Sequence, residues 1–117
     1  MKILIVDDDP VQAKILVDIF NAYNYCAKGV ASVSKALQLV DSEKFDLILS
    51  DIRMPVMNGV ELCRIVKKSQ PSIFFILMTA YANDDLIIEG VRAGALVTLS
   101  KPLDLETLLN RIANLNP

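Results

Sequence analysis

Short apolar runs alternate along this chain with longer stretches of helical period. Ile3 to Val6 is continuously apolar, too short for a helix, and stops at Asp7-Asp8-Asp9-Pro10. Such a run reads as a strand buried on both faces. Val11, Ile15, Leu16 and Ile19 then recur at helical spacing and predict a first helix with these residues inward, ending near Asn21 to Asn24. Tyr25 to Val30 predicts a second strand, with a thinner apolar signal. Ser32 or Ser34 can cap a helix whose inner face is Val33, Ala36, Leu37 and Val40. Phe45 to Leu49 is the next buried run, ending at Ser50-Asp51. A loop with Pro55 and Asn58-Gly59 leads to a helix marked by Val60, Cys63 and Val66. Ile73 to Met78 is the most apolar strand and ends at Thr79-Ala80. Asn83 is the expected cap of a fourth helix through about Arg92, stopped by Gly94. Ala95 to Leu99 predicts the fifth strand, closed by Ser100-Lys101-Pro102. Asp104 then caps a last helix with Leu105, Leu108, Leu109, Ile112 and Leu115 on one stripe.

Five repeats of strand then helix predict an α/β fold, a doubly wound parallel five-stranded sheet between two helical layers. The length of 117 residues suits one such domain, residues 1–117, with no room for a second of ordinary size. Right-handed crossovers place every strand's carboxyl end along one edge. With strand order 2-1-3-4-5, strands one and three are neighbours where the order reverses, the place where open α/β sheets bind ligands.

Composition narrows the chemistry. Twelve basic residues against fourteen acidic ones give a net charge of −2, so no basic face points to nucleic acid. The acids are ten Asp and four Glu, a skew toward strand ends, caps and metal sites. His is absent, which removes His-based catalysis, His-ligated zinc and any phosphohistidine on this chain. Cys26 and Cys63 are too few for a thiolate metal site and read as reduced core residues. No apolar run approaches the roughly 18 residues of a membrane span, and the first residues lack a signal peptide's pattern. The expectation is a soluble, cytoplasmic domain.

The strand ends carry the candidate chemistry. Strand one delivers Asp7 and Asp8, strand three Asp51, strand four Thr79 and strand five Lys101. Alone, the first three Asp would be a solvated turn, and Asp9-Pro10 is read as a helix cap followed by proline at the first helical position. Converging carboxylates, however, repel and raise at least one pKa unless a cation intervenes. An all-oxygen set favours a hard ion that keeps several waters, namely Mg²⁺. Beside such a site, a carboxylate can attack phosphorus in line while an ammonium offsets charge on the phosphoryl oxygens. Asp51 is the natural nucleophile. Pro102 makes a rigid turn that aims Lys101, with a cis bond as one route.

These residues together resemble the receiver domain of bacterial two-component response regulators. The resemblance rests on Val6-Asp7-Asp8, Ser50-Asp51-Ile52-Arg53-Met54-Pro55, Met57-Asn58-Gly59, Met78-Thr79-Ala80, and Gly94-Ala95 running into Lys101-Pro102. It covers the whole chain in order. It implies Asp51 as phospho-acceptor, with Asp8, Asp7, Asp51 and the main-chain carbonyl of Arg53 around Mg²⁺. It further implies that Lys101 contacts the phosphoryl oxygens and that the Thr79 hydroxyl moves toward them on phosphorylation. Ala80, Tyr81 and Arg53 fall at modulating positions, the last two flanking the path of hydrolytic water. The implied partner is a sensor histidine kinase or a histidine phosphotransfer protein, and the implied output is a repacked face of helix four, strand five and helix five. One departure stands out: Thr98 occupies the strand-five position where the family's switch has an aromatic residue. That puts aromatic-coupled switching in doubt and, with the chain stopping after helix five, favours a stand-alone or relay receiver.

Other readings compete. Asp7-Asp8-Asp9-Pro10-Val11 fits D-x-D-x-V, resembling haloacid-dehalogenase-type phosphohydrolases, with Asp7 as nucleophile and Asp9 as acid/base. That reading leaves Asp51 without a role and places Asp84-Asp85 before the Lys rather than after it. A flavodoxin-like carrier conflicts with a triple-Asp first loop, which would repel a cofactor phosphate. Asp84-Asp85 otherwise reads as a first-turn pair favoured by the helix dipole. In Leu86-Ile87-Ile88, either the buried face is wide or one residue lies exposed as a docking spot.

Overall fold

A computed structural model describes residues 1–81 and 83–115. The elements in chain order are β1 (Lys2–Val6), α1 (Pro10–Ala22), β2 (Cys26–Val30), α2 (Val33–Ser42) and β3 (Leu47–Asp51). They continue with α3 (Gly59–Ser69), β4 (Phe74–Thr79), α4 (Leu86–Ala93), β5 (Val97–Ser100) and α5 (Leu105–Ala113). All strand pairs are parallel and the sheet order is β2-β1-β3-β4-β5, as expected.

The two-residue period of the strands divides the core in two. Leu4, Val6, Ile48, Phe75 and Leu77 face one way and pack with Val60, Cys63 and Val66 of α3 and Ala36 and Val40 of α2. Ile3, Ile5, Leu47, Leu49, Ile76 and Met78 face the other way, against Leu16 and Phe20 of α1 and Leu108 and Ile112 of α5. β3 sits at the centre and all five of its residues are buried. The edge strands β2 and β5 are only partly covered.

Several expectations need correction. Val11 and Ile15 are exposed, at 66% and 52%, because α1 turns Ala13 and Phe20 to the sheet beside the expected Leu16. Cys26 is exposed because β2 is an edge strand, whereas Cys63 is buried and its thiol is pushed up to about 11 by desolvation. β3 runs two residues later than its apolar run, since Asp51 stays in the ladder opposite Met78 and Ile52 donates to the Met78 carbonyl. Likewise, β5 starts at Val97 rather than Ala95. Asn83 does not cap α4; the helix starts at Leu86, whose N–H is taken by Asp84 Oδ1 at 2.9 Å. Of the apolar triple, Leu86 and Ile87 pack partly on the core while Ile88 is exposed. The remaining expected caps agree: Asp9, Ser32 and Asp104 each accept from first-turn N–H groups, and Gly94 ends α4 at φ 105°. Asn58, read only as part of the loop before α3, also caps that helix.

Candidate functional site

Parallel strands deliver their last residues to one edge, and adjacent strands deliver them side by side. β1 ends just before Asp7 and Asp8, and its neighbour β3 ends in Asp51. One carboxylate oxygen from each of Asp7, Asp8 and Asp51 lies within 4.8 Å of the others. Asp7 and Asp51 are buried while Asp8 is exposed. Lys101 reaches in from the end of β5, its Nζ 2.6 Å from Asp51 Oδ1, 3.1 Å from Asp7 Oδ2 and 3.0 Å from Gln12 Oε1. These groups line a cleft of about 220 Å³ that also includes Thr79, Ala80 and Tyr81.

The charges in this cleft do not balance. Three carboxylates face one ammonium, so the cluster keeps an excess of negative charge. Asp51 is pushed up to about 7, first by burial and then by the neighbouring Asp7, with Lys101 pulling the other way. Burial alone would lower Lys101, but its contacts with Asp51 and Asp7 win and hold its proton more tightly than usual. All ligand atoms here are oxygens, and the surplus charge is what a hard divalent cation would offset, so these residues fit Mg²⁺.

A second carboxylate cluster stands on the other side of Thr79. Asp84, its side chain 1% exposed, accepts from Arg53 Nη2 at 2.8 Å and Arg53 Nε at 3.1 Å. It also accepts from the Leu86 N–H at 2.9 Å and the Thr79 hydroxyl at 3.2 Å. Burial pushes Asp84 upward, but the Arg53 fork and the Leu86 and Thr79 donors outweigh it and hold the carboxyl below its ordinary value. Sequence reasoning missed this network. Opposite charges just past the ends of neighbouring strands β3 and β4 were the available signal.

A model of the response regulator receiver domain matches residues 3–113. The chain belongs to that family. This receiver domain is 35% identical over 99% of its length to sporulation initiation phosphotransferase F of Bacillus subtilis, of which it covers 94%. It is 40% identical over 91% of its length to the transcriptional regulatory protein ZraR of Klebsiella oxytoca, but spans only 24% of that longer protein. Among solved structures, it resembles a CheY-like receiver domain protein from Methanospirillum hungatei, with a TM-score of 0.91, 32% identity, and 96% and 90% of the two chains covered. The response regulator TrrA of Thermotoga maritima, solved with Mg²⁺ and beryllofluoride, gives a TM-score of 0.84 at 27% identity, covering 96% of each chain.

Within this receiver domain, every strand-end residue singled out from sequence reaches the same cleft: Asp7, Asp8, Asp51, Thr79 and Lys101. Asp9 also lines the cleft, but its carboxylate caps α1 through the Val11 and Gln12 N–H groups, and Asp84-Asp85 is engaged by Arg53. The phosphohydrolase alternative would need Asp9 and that pair released from these partners. Tyr81 is exposed at 64% beside the cleft mouth. Thr98 is half-buried on the α4 side of β5, and its hydroxyl has no hydrogen-bond partner among the described residues. At Gly90 of α4 an added Cβ would lie 2.5 Å from Leu77 Cδ1 and 3.9 Å from Thr98 Oγ1. No aromatic side chain stands in that place. The Lys101–Pro102 peptide is cis.

Proposed function

We propose that residues 1–117 form one receiver domain that accepts a phosphoryl group on Asp51 from a phosphohistidine of a sensor kinase or phosphotransfer protein. The observation that carries this reading is the convergence of Asp7, Asp8 and Asp51 within 4.8 Å, with the Lys101 ammonium 2.6 Å from Asp51. Asp7, Asp8, Asp51 and the Arg53 main-chain carbonyl would hold Mg²⁺. Bound there, the ion offsets the negative charge of the donor phosphoryl group as it approaches. An Asp51 carboxylate oxygen attacks phosphorus, the P–N bond breaks, and its electron pair stays on the departing imidazole. Lys101, already between Asp51 and Asp7, follows the phosphoryl oxygens. Thr79 stands ready to donate its hydroxyl to the same oxygens once it turns toward Asp51, and α4, β5 and α5 form the face that responds. None of these 117 residues is a His, so the phosphohistidine comes from outside this domain.

The exposed side of α1 supports a docking role for that donor. Ile15 lines a largely apolar groove of about 470 Å³ that runs beneath Leu105 and opens onto Gln12, Ala80 and Lys101 of the acceptor cleft. A helix of the histidine-bearing partner laid in this groove presents its imidazole to Asp51. Hydrolysis of the aspartyl phosphate by water returns Asp51 and inorganic phosphate, so the domain works as a cytoplasmic regulator with slow self-dephosphorylation, not as a turnover enzyme.

Incubation with Mg²⁺ and acetyl phosphate, borohydride reduction and peptide mass spectrometry test the reading. Label on Asp51, absent without Mg²⁺ and in Asp51→Asn, is the expected outcome. Label on Asp7 with rapid turnover of acetyl phosphate overturns it.

A further inference from the structure

We infer that Asp84 is a positioning residue, a latch that holds the Thr79 hydroxyl and the Arg53 guanidinium away from Asp51 until the phosphoryl group arrives. The inference rests on the phospho-acceptor reading of Asp51. A threonine hydroxyl has one hydrogen to give. Thr79 directs it to Asp84 Oδ2 at 3.2 Å and the Tyr81 carbonyl at 3.3 Å, and its oxygen accepts the Tyr81 N–H at 3.1 Å. All these partners lie on the α4 side. Among the described residues, the hydroxyl makes no hydrogen bond to Asp51. To serve a phosphoryl oxygen on Asp51, that hydrogen has to leave Asp84.

The grip is built as a clamp. Four donors fill the Asp84 carboxylate: two from the Arg53 fork, one from Leu86 N–H and one from Thr79. The bidentate guanidinium fixes the orientation of the carboxylate, and burial strengthens each contact. Asp84 thus ties the segment after β3, through Arg53, to the end of β4, through Thr79, and to the first turn of α4, through Leu86. When Thr79 turns to Asp51, the carboxylate that starts α4 loses one of its four donors. This gives the start of α4 a direct link to the phosphorylation state in a domain whose Thr98 has no ring to swing. The latch also holds the Arg53 guanidinium, two residues past the acceptor, on Asp84 and Asp85 at the start of α4.

A state held closed lowers the apparent affinity for whatever binds the open state. The test is binding of beryllofluoride in saturating Mg²⁺, by calorimetry, to wild type, Asp84→Ala and Asp84→Asn, each repeated with Thr79→Val. The loss of one hydrogen bond to a charged acceptor predicts about tenfold tighter binding by Asp84→Ala. Asp84→Asn keeps an oxygen for Thr79 and gains less. In the Thr79→Val background, the gain disappears. Damage to the fold weakens binding, so a merely structural role for Asp84 moves the affinity in the opposite direction. No tightening in either Asp84 variant, or equal tightening with Thr79→Val, overturns the latch. A wild type that takes up no beryllofluoride overturns the acceptor reading instead. The clamp is then judged by the Arg53 Nε proton resonance of the free protein. A slowly exchanging signal, lost in Asp84→Asn, upholds the clamp, and fast exchange in wild type overturns it.

Discussion

Asp51 and Asp84 are both buried acids at the carboxyl edge of the same sheet, and both lie near Thr79, yet their surroundings push them in opposite directions. Asp84 meets four donors, two of them from the Arg53 guanidinium fork, and is held ionised. Asp51 meets a second carboxylate and a single shared ammonium, and is pushed up to about 7. Burial acts on both, so partners decide the outcome. A fully satisfied carboxylate is inert and serves as a fastener. An under-compensated one attracts a cation and keeps an oxygen available for attack. Reactivity is concentrated where the fold leaves charge unanswered.

The most severe way to break this contrast is Gly59→Ala, because it strikes only one of the two sites. An added Cβ at Gly59 would lie 2.0 Å from the main-chain oxygen of Asp51, a backbone atom with no rotamer to escape into. The start of α3 or the end of β3 has to shift. A loss of about 3 kcal/mol in urea denaturation is expected. Beryllofluoride binding falls with it, while the Arg53 Nε resonance of the Asp84 clamp stays in place. Unchanged stability would mean that α3 is not seated against the acceptor as described.

Paired amide substitutions reverse the sign between the two sites. In metal-free protein at pH 8, Asp51→Asn removes a charge that burial and Asp7 disfavour, and is expected to gain about 2 kcal/mol. Asp84→Asn empties a paired site and is expected to lose about 1–2 kcal/mol. The pH profile separates them further. Asp51 titrates at about 7 in the folded chain against an ordinary 3.8, so between these values the folded state holds a proton that the unfolded state has released. Stability therefore falls as pH rises from about 4 to about 7, and Asp51→Asn flattens that fall. Asp84 is shifted below 3.8, so its contribution is present above about pH 4 and is lost on acidification. Denaturation series in EDTA across pH 3 to 8 check both limbs. A flat profile in wild type would mean that Lys101 compensates the cluster after all.

The same contrast marks how far the sequence could be read. The apolar runs end in Asp7, Asp51, Thr79 and Lys101, and a parallel sheet has to bring strand ends together, so this cleft is a direct product of periodicity and topology. The Asp84 clamp is not. Its members lie 31 and 5 positions apart in the chain, with Arg53 and Asp84 in loops that have no period, and Asp84-Asp85 looks like any acidic first turn. The faces of α1 were misjudged for a related reason. Val11 and Ile15 satisfy helical spacing with Leu16, but so do Ala13 and Phe20, and packing on Gly29 of β2, where an added Cβ would lie 3.6 Å from Ala13, selects the second face. Cys26 was placed inside because the order of strands makes β2 an edge, which its own composition does not announce.

The smallest effect sharpens the contrast in the backbone instead of the charges. The loop leaving Asp51 contains Val56 at φ 72°, a left-handed conformation that a β-branched residue resists, and its side chain is fully exposed. Exposure means that no packing is lost on truncation. Val56→Gly removes a steric penalty of roughly 1–2 kcal/mol and adds about 0.5–1 kcal/mol of unfolded-state freedom. A net gain of about 0.5–1 kcal/mol is expected in urea denaturation. The loop leaving β4, by contrast, shows no positive φ among its described residues, so of the two loops as described the left-handed residue lies on the acceptor side. If Val56→Gly destabilises the protein, the left-handed turn is not strained in solution, and the acceptor differs from its neighbour in charge alone.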